Sequence, residues 1–319
     1  MIFDGHSDIL TDLTIRYDMG DLNPFIDRHA QALKKGGVAG AIFVIWPEPP
    51  HNVDPYSRTL DILNTVEKEV NKGSFQLVTN FDQLQAKWGK EFCVFLGAEG
   101  LSSIEKNPHY LDTLYNKGLR HASLTWNESN AFATGVTGDH DRGLTSMGES
   151  IVKRIEDLGI LLDVSHLNEK SFWDLSKLVN KPLIASHSNL RKLSDHPRNL
   201  TDDQVRFIGE SKGLIGINAY HEFVSRSKEN QSIDGLVKHI VESCNLIGID
   251  HVSLGFDFFG YLEGETVDSF SSDTPHIANF EDVSKAGNLL EILKQEFSLG
   301  EIRKICYENY FRVIKSVIG

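Results

Sequence analysis

The chain has 319 residues, of which 40% are hydrophobic, and its formal net charge is −13. This length and composition can build one large core, and the acidic balance excludes a nucleic-acid-binding protein, because no basic stripe is present to neutralise phosphates. No apolar run reaches the ~18 residues of a membrane-spanning helix, so no membrane partner is expected. Cys93, Cys244 and Cys306 show neither metal nor disulfide spacing, and the chain opens with a strand-like segment. We therefore expect a cytoplasmic protein without a signal peptide.

Short apolar or β-branched runs alternate with amphipathic segments from one end of the chain to the other. Several are continuously apolar, which is typical of parallel strands that are covered on both faces. This alternation, without a linker, predicts a single domain over residues 1–319 with the α/β (β/α)8 TIM-barrel fold and C-terminal helices; an open doubly wound sheet is the alternative. The predicted strands are Ile2–His6, Val38–Trp46, Phe92–Ala98, Ala122–Trp126, Ile160–Ser165, Leu183–Ser186, Leu214–Asn218 and Val252–Gly255.

Three segments outside the strands carry the Ser/Thr-x-x-Glu/Gln signature of a helix N-terminus. They are Ser146–Glu149, Thr201–Gln204 and Ser298–Glu301, and Gly159 is a C-cap for the first helix. The polar stretch Phe259–Phe280 after the eighth predicted strand is longer than an ordinary connection in such a fold. We interpret it as a long loop that acts as a lid.

Side chains suited to metal binding or acid–base chemistry follow five of the predicted strands. Singly, each has an ordinary structural interpretation, such as a hydrogen-bonded core histidine or a loop carboxylate. In a barrel, however, the C-terminal strand ends meet on one rim, so these positions are expected to converge. They are His6 with Asp8, then Glu99, His166, His187 and Asp257.

Several carboxylates held together away from water imply bound cations. Mixed imidazole and carboxylate ligands suit zinc, although other divalent metals accept the same ligand types. Two Zn²⁺ ions would leave the site close to neutral. His6 and Asp8 are then expected on one ion, His166 and His187 on the other, with Glu99 spanning both.

An ordered set of motifs over nearly the whole chain resembles the membrane dipeptidase (renal dipeptidase) family of zinc metallopeptidases, which have an amidohydrolase-like barrel. The resemblance implies the same five metal ligands, with Glu99 bridging, and implies that Arg198 and Asp257 contact the substrate. It also implies hydrolysis of free dipeptides, including those with a C-terminal D-residue. The motifs are Asp4–Asp8, Gly97–Gly100, Ser123–Asn127, Asp163–His166, Ala185–Ser188, Arg198–Asp203, Gly255–Asp257 and Tyr307–Val313.

The resulting hypothesis is a zinc-dependent dipeptidase in which a hydroxide shared by the two metals attacks the peptide carbon. Asp257 and Glu99 are the expected catalytic residues, and Asp257 passes the proton to the leaving amine. Arg198 is expected to bind the C-terminal carboxylate of the substrate. Tyr220 and Asn127 complete the expected substrate-binding residues, although Tyr220 could equally pack beside the pocket.

Two positions depart from the family pattern, and other functions remain as alternatives. Trp126 stands where several members carry a histidine that helps hold the tetrahedral oxygen, so this stabilisation is expected to rely more on the metals. Phe259 replaces a second aspartate, so the pocket shape is expected to differ. Arg198 could instead form a surface pair with Asp202 or Asp203.

The alternative enzyme is another binuclear amidohydrolase-type hydrolase, such as a deacetylase, lactonase or deaminase of small carboxylated substrates. A metal-free binding protein is the third interpretation, and related barrels often form homodimers.

Overall fold

Parallel strands form a nearly closed barrel in the computed structural model, which describes residues 1–262, 266 and 276–319. The strands are β1 (Ile2–Ser7), β2 (Val38–Ile45), β3 (Gln76–Leu77), β4 (Cys93–Ala98), β5 (Leu119–Ser123), β6 (Leu161–Asp163), β7 (Ile184–Ala185), β8 (Leu214–Ile217) and β9 (Val252–Leu254). Strand β3 pairs with the start of β4, and the other eight follow the order β1-β2-β4-β5-β6-β7-β8-β9. At the closing edge, the backbone N–H of Phe256 donates to the carboxylate of Asp4 at 2.9 Å. The predicted (β/α)8 barrel is confirmed.

Helices follow the strands and pack against them. None of the helices in the described ranges is both long and apolar enough to cross a membrane. Two π-helical segments, Phe25–Ala30 and Lys304–Glu308, lead into α-helices. The described α-helices are Ile9–Asp18, Gln31–Gly36, Pro55–Lys72, Phe81–Lys87, Tyr110–Asn116, Ser146–Leu158, Glu169–Ser176, Asp202–Glu210, His221–Val224, Ile233–Ile247, Ala286–Glu296, Leu299–Arg303 and Asn309–Val317.

Strand β2 shows how the strands divide the core into two clusters. Phe43 and Ile45 pack in the large cluster that includes the surrounding helices, whereas Ile42 and Val44 belong to a smaller cluster inside the barrel. This division follows from the period-2 alternation of side chains along a strand. The inner cluster also includes side chains of the C-terminal helix Asn309–Val317, so this helix closes the end of the barrel at which the strands begin.

The fourth predicted strand, Ala122–Trp126, is displaced: the observed strand is β5, Leu119–Ser123. Polar residues near the start of β5 prevented its recognition from hydrophobicity. The guanidinium of Arg120 donates to backbone carbonyls, and His121 Nε2 lies 3.0 Å from Asp163 Oδ2. A strand that buries paired polar side chains cannot be located from hydrophobicity alone.

The predicted helix boundaries are largely confirmed. Thr201 and Ser298 each form a complete capping box with the residue three positions later. Gly159 ends its helix in the left-handed conformation with φ 69°. The first start signal was wrong by one residue, because the N-cap is Thr145, whose hydroxyl accepts from a backbone N–H, and Ser146 is already helical.

Gly216 in β8 marks a close approach inside the barrel. A Cβ atom there would lie 2.0 Å from the backbone oxygen of Ser186. Gly216→Ala is therefore expected to lower the free energy of unfolding by about 1–3 kcal/mol through overpacking. Gly287→Ala is the matched control, because a Cβ atom there meets nothing within 4 Å, and a gain of up to about 1 kcal/mol is expected. Urea denaturation of both variants checks this, and equal effects would contradict it.

His239 gives the stability of the fold a predictable acid dependence. Its Nδ1 accepts from the N–H of Leu190 at 3.2 Å and its Nε2 donates to the carbonyl of Val224 at 2.9 Å, so the ring is neutral. Burial lowers the pKa of His239 to about 4. Since the unfolded pKa is about 6.5, this contribution to stability is complete above pH 6.5 and is lost as the pH falls through 4.

Between pH 7 and pH 5 the titration of His239 should cost about 2 kcal/mol of unfolding free energy. Glutamine can retain both hydrogen bonds but does not titrate, so His239→Gln should reduce the pH dependence by this amount. Urea denaturation at the two pH values measures it. If the unfolding free energy of the variant depends on pH as strongly as that of the wild type, His239 is not the cause of the dependence.

Candidate metal centre and substrate pocket

The residues predicted from the strand ends lie together at the end of the barrel opposite the C-terminal helix. His6 is in β1, and Asp8 follows that strand. Glu99 directly follows β4, while His166 and His187 lie just beyond β6 and β7. All five side chains are buried, with at most 6% of each residue exposed. The closure of the parallel barrel therefore brings together residues that are widely separated in sequence.

Glu99 is at the centre of this group. Its Oε1 lies 2.8 Å from His166 Nε2, 3.4 Å from His6 Nε2 and 3.6 Å from His187 Nε2. On the other side of His6, Asp8 Oδ2 lies 3.7 Å from the same Nε2 atom. One carboxylate thus reaches three imidazoles, the arrangement expected of a residue that spans two ligand sets.

The acidic side chains leave the site short of positive charge. Burial raises the pKa of Glu99 well above its ordinary value and raises that of Asp257 to about 6. Burial lowers the pKa of His6, but the charges of Glu99, Asp8 and Asp257 outweigh this and hold it at about 10. Both ring nitrogens of His6 and Oδ1 of Asp8 are buried without a hydrogen-bond partner among the described residues. Buried nitrogen and oxygen atoms without hydrogen-bond partners, in an acidic pocket, are suited to coordinate a divalent cation.

His166 and His187 present neutral imidazoles to the same point. Burial, together with the charges of Arg198 and His6, keeps both of their pKa values well below the ordinary value. Their Nε2 atoms lie 2.8 Å apart, and Arg198 Nη2 donates to Nε2 of His166 at 3.0 Å. Because arginine only donates, that nitrogen carries a lone pair, which is the form that binds metal.

Two residues of the site have a strained backbone. His166 has φ 72° and Asp257 has φ 58°, in the left-handed region that non-glycine residues seldom adopt. Such strain costs of order 1–3 kcal/mol per residue and persists where the surrounding structure imposes it. Here it occurs at the chain reversals after β6 and β9, and it directs the two side chains into the group around Glu99.

A pocket of about 300 Å³ opens onto this group. Its floor holds the carboxylates of Asp8, Glu99 and Asp257, and its walls are largely aromatic. Phe259 and Leu262 also line it; most of the predicted lid, Phe259–Phe280, lies outside the described residues. The aromatic wall consists of Trp46, Trp126, Tyr220, Phe223 and Phe259.

Arg198 lies in the wall of the pocket and not on the protein surface. It is buried, and Nη2 also donates to the backbone oxygen of His187 at 3.4 Å. Within the described part of the chain no carboxylate oxygen lies within 4.0 Å of its guanidinium. The alternative of a surface pair with Asp202 or Asp203 is therefore not what the structure contains.

The whole chain matches one known family. The sequence profile of the membrane dipeptidase family, peptidase family M19, covers residues 1–318. The chain belongs to this family. As an M19 member it is a hydrolase of the metallo-dipeptidase class.

Several similar proteins align with almost all of the chain. An uncharacterized dipeptidase of Schizosaccharomyces pombe is 29% identical, over 99% of this chain and 80% of that protein. The crystal structure of dipeptidase AC, a family M19 metallopeptidase, is 26% identical and superposes with a TM-score of 0.88 over 100% of this chain and 99% of that one. A Rhodobacter sphaeroides metallopeptidase, crystallised with a phosphinate mimic of L-Ala-D-Ala, has a TM-score of 0.86 at 24% identity and 99% coverage of both chains.

In this M19 chain, some predicted pocket residues have additional contacts. Asn127 and Tyr220 both line the pocket, and Asn127 Oδ1 lies 2.8 Å from Nδ1 of His166. Asn218 Nδ2 donates to Asp257 Oδ2 at 2.8 Å, a contact for which the sequence offered no signal. His196 also lines the pocket and is not among the residues predicted from the sequence.

Proposed function

We propose that the chain hydrolyses the peptide bond of free dipeptides with two zinc ions held by His6, Asp8, Glu99, His166 and His187. The observation that carries this proposal is the single carboxylate oxygen of Glu99, which lies within 3.6 Å of a ring nitrogen of each of three histidines, beneath a pocket of about 300 Å³. A bound divalent pair would supply a water of lowered pKa and would polarise the scissile carbonyl. We propose further that residues 1–319 form one domain, and that it resides in the cytoplasm, since its cysteines are free thiols.

Asp257 is the residue that moves the proton in this proposal. Asn218 donates to Oδ2 of its carboxylate, while Oδ1 faces His6 Nε2 at 3.9 Å. One oxygen is therefore held by an amide and the other is directed to the reacting end of the pocket. With its pKa raised to about 6 by burial, the carboxyl can both take a proton and release it near neutral pH.

Arg198 supplies the recognition of a free C-terminus. A buried guanidinium without a carboxylate partner in the described structure favours an anionic substrate group, which it can bind bidentately. The phosphinate mimic of L-Ala-D-Ala bound by the Rhodobacter sphaeroides relative supports a dipeptide with a C-terminal D-residue as one substrate here. Trp126 contributes to the aromatic wall, and the centroid of its ring lies 5.3 Å from that of Trp46.

Activity on a substrate panel tests this function. We expect hydrolysis of L,L- and L,D-dipeptides by the purified chain, loss of activity after chelation, and recovery with zinc at two ions per chain. Lactones and N-acetyl amino acids serve as the comparison substrates, because they represent the alternative hydrolases. Preferential turnover of those compounds, or a fully active chelated enzyme, would rule the dipeptidase proposal out.

Replacement of Arg198 tests the carboxylate contact. A charge-assisted hydrogen-bond pair contributes about 1.5–3 kcal/mol, so Arg198→Ala should raise KM for a free dipeptide by roughly 10- to 100-fold. The same variant should change KM little for the dipeptide amide, which lacks the carboxylate. Arg303→Ala is the control, because Arg303 is exposed and pairs with Glu308, and neither residue lines the pocket. Zinc content is measured in parallel, and equal loss on both substrates would contradict the contact.

A further inference from the structure

A buried chain of polar side chains leads away from the candidate metal centre, behind His187. His187 Nδ1 lies 2.7 Å from Ser186 Oγ, the Ser186 hydroxyl contacts Asp163 Oδ2, and the same oxygen lies 3.0 Å from His121 Nε2. None of these four residues exposes more than 1% of its surface. Polar groups this deeply buried have fixed partners, so the direction of each hydrogen bond can be worked out.

The carboxylate of Asp163 can only accept. Burial raises its pKa, but hydrogen bonds and charge from His121, the Ser186 hydroxyl and the Ser165 N–H outweigh this and hold the pKa far below the ordinary range. Oδ1 accepts from the backbone N–H groups of Ser165 at 2.9 Å and Ser186 at 3.0 Å. Oδ2 accepts from the Ser186 hydroxyl and from His121 Nε2. Both oxygens are thus saturated by donors.

This count determines the position of one proton on His187. A serine hydroxyl has a single hydrogen, and at Ser186 it is directed to Asp163. Toward His187, Ser186 Oγ must therefore act as the acceptor, so Nδ1 of the imidazole carries the proton. The lone pair of the neutral ring is then on Nε2, the atom that faces Glu99 at 3.6 Å.

We propose that Asp163 is a positioning residue that, through Ser186, fixes the tautomer of His187 in which Nε2 can bind metal. The inference rests on the proposed function, in which His187 is a zinc ligand. Other partners hold His166 in the same tautomer, because its Nδ1 faces the amide oxygen of Asn127 and its Nε2 accepts from Arg198. Partners behind ligand histidines generally fix ring orientation, and their loss costs about 10- to 100-fold in metal affinity.

The variant Asp163→Asn reverses the hydrogen-bond direction with almost no change in volume. The two backbone N–H groups at Oδ1 require the amide oxygen there, so the amide nitrogen replaces Oδ2. That nitrogen donates to Ser186 Oγ and releases the serine hydrogen toward His187 Nδ1. The proton of the imidazole must then move to Nε2, which can no longer bind a cation in that form.

Two measurements test this positioning role. In protein stripped of metal by chelation and labelled with ¹⁵N-histidine, the nitrogen shifts of His187 should report the Nδ1–H tautomer in the wild type and the Nε2–H tautomer in Asp163→Asn. Competition with a chromogenic chelator should show about 10- to 100-fold weaker zinc binding in the variant. Glu48→Gln is the control for loss of a buried carboxylate, because Glu48 is fully buried and pairs with Arg58 away from the proposed ligands. The zinc affinity of this control variant should equal that of the wild type.

The double variant Asp163→Asn/Ser186→Ala separates tautomer control from simple damage to the fold. Without the serine hydroxyl nothing forces the wrong tautomer, so the double variant should bind zinc more tightly than Asp163→Asn alone. A double variant as weak as the single one, or unaltered histidine shifts in Asp163→Asn, would overturn the inference. Wild-type protein that binds no zinc would instead overturn the proposed function, and the histidine shifts would still decide what Asp163 does.

Discussion

The burial of Glu99 among three imidazoles is the constraint on which the site depends. A carboxyl group withdrawn from water must either remain protonated or be compensated by positive charge. The chain itself offers His6 and Arg198, yet the pKa of Asp257 stays raised, so this compensation is incomplete. A deficit of positive charge, with neutral histidine nitrogens facing it, suits this end of the barrel to a cation and gives a reason for the left-handed backbone at His166.

The barrel interior behind His187 supplies the rigidity that such a site requires. The backbone oxygen of Ser186 accepts from Tyr310 Oη at 3.3 Å and lies within 2.0 Å of where the Cβ atoms of residues at Gly216 and Gly255 would be. These contacts leave no room for the backbone before His187 to move. A ligand position precise to a fraction of an ångström needs support of this kind from packed, apolar surroundings.

The sequence predicted the elements whose signal is local and missed those that depend on partners. Continuous apolar strands and the capping box at Thr201 are encoded within a few residues, and the acids and histidines after the strands marked the rim. The start of β5 was misplaced because His121 is polar, and it is buried only because Asp163 of the neighbouring strand accepts from it. The contact between Asn127 and His166 likewise joins distant segments, and no spacing in the sequence predicts it.

Under the proposed function, metal loading and substrate binding would be coupled through one nitrogen atom. Nε2 of a neutral imidazole has a single lone pair, and in His166 it accepts from Arg198 Nη2 at 3.0 Å. It cannot serve that donor and a cation at once, so under the proposed function an ion on His166 frees an N–H group of the guanidinium. The charge balance leads to the same result, because two divalent ions would offset the acids of the site and would leave Arg198 without a counter-charge. In the proposed function the substrate carboxylate would then meet an arginine with one more available N–H group and no counter-charge.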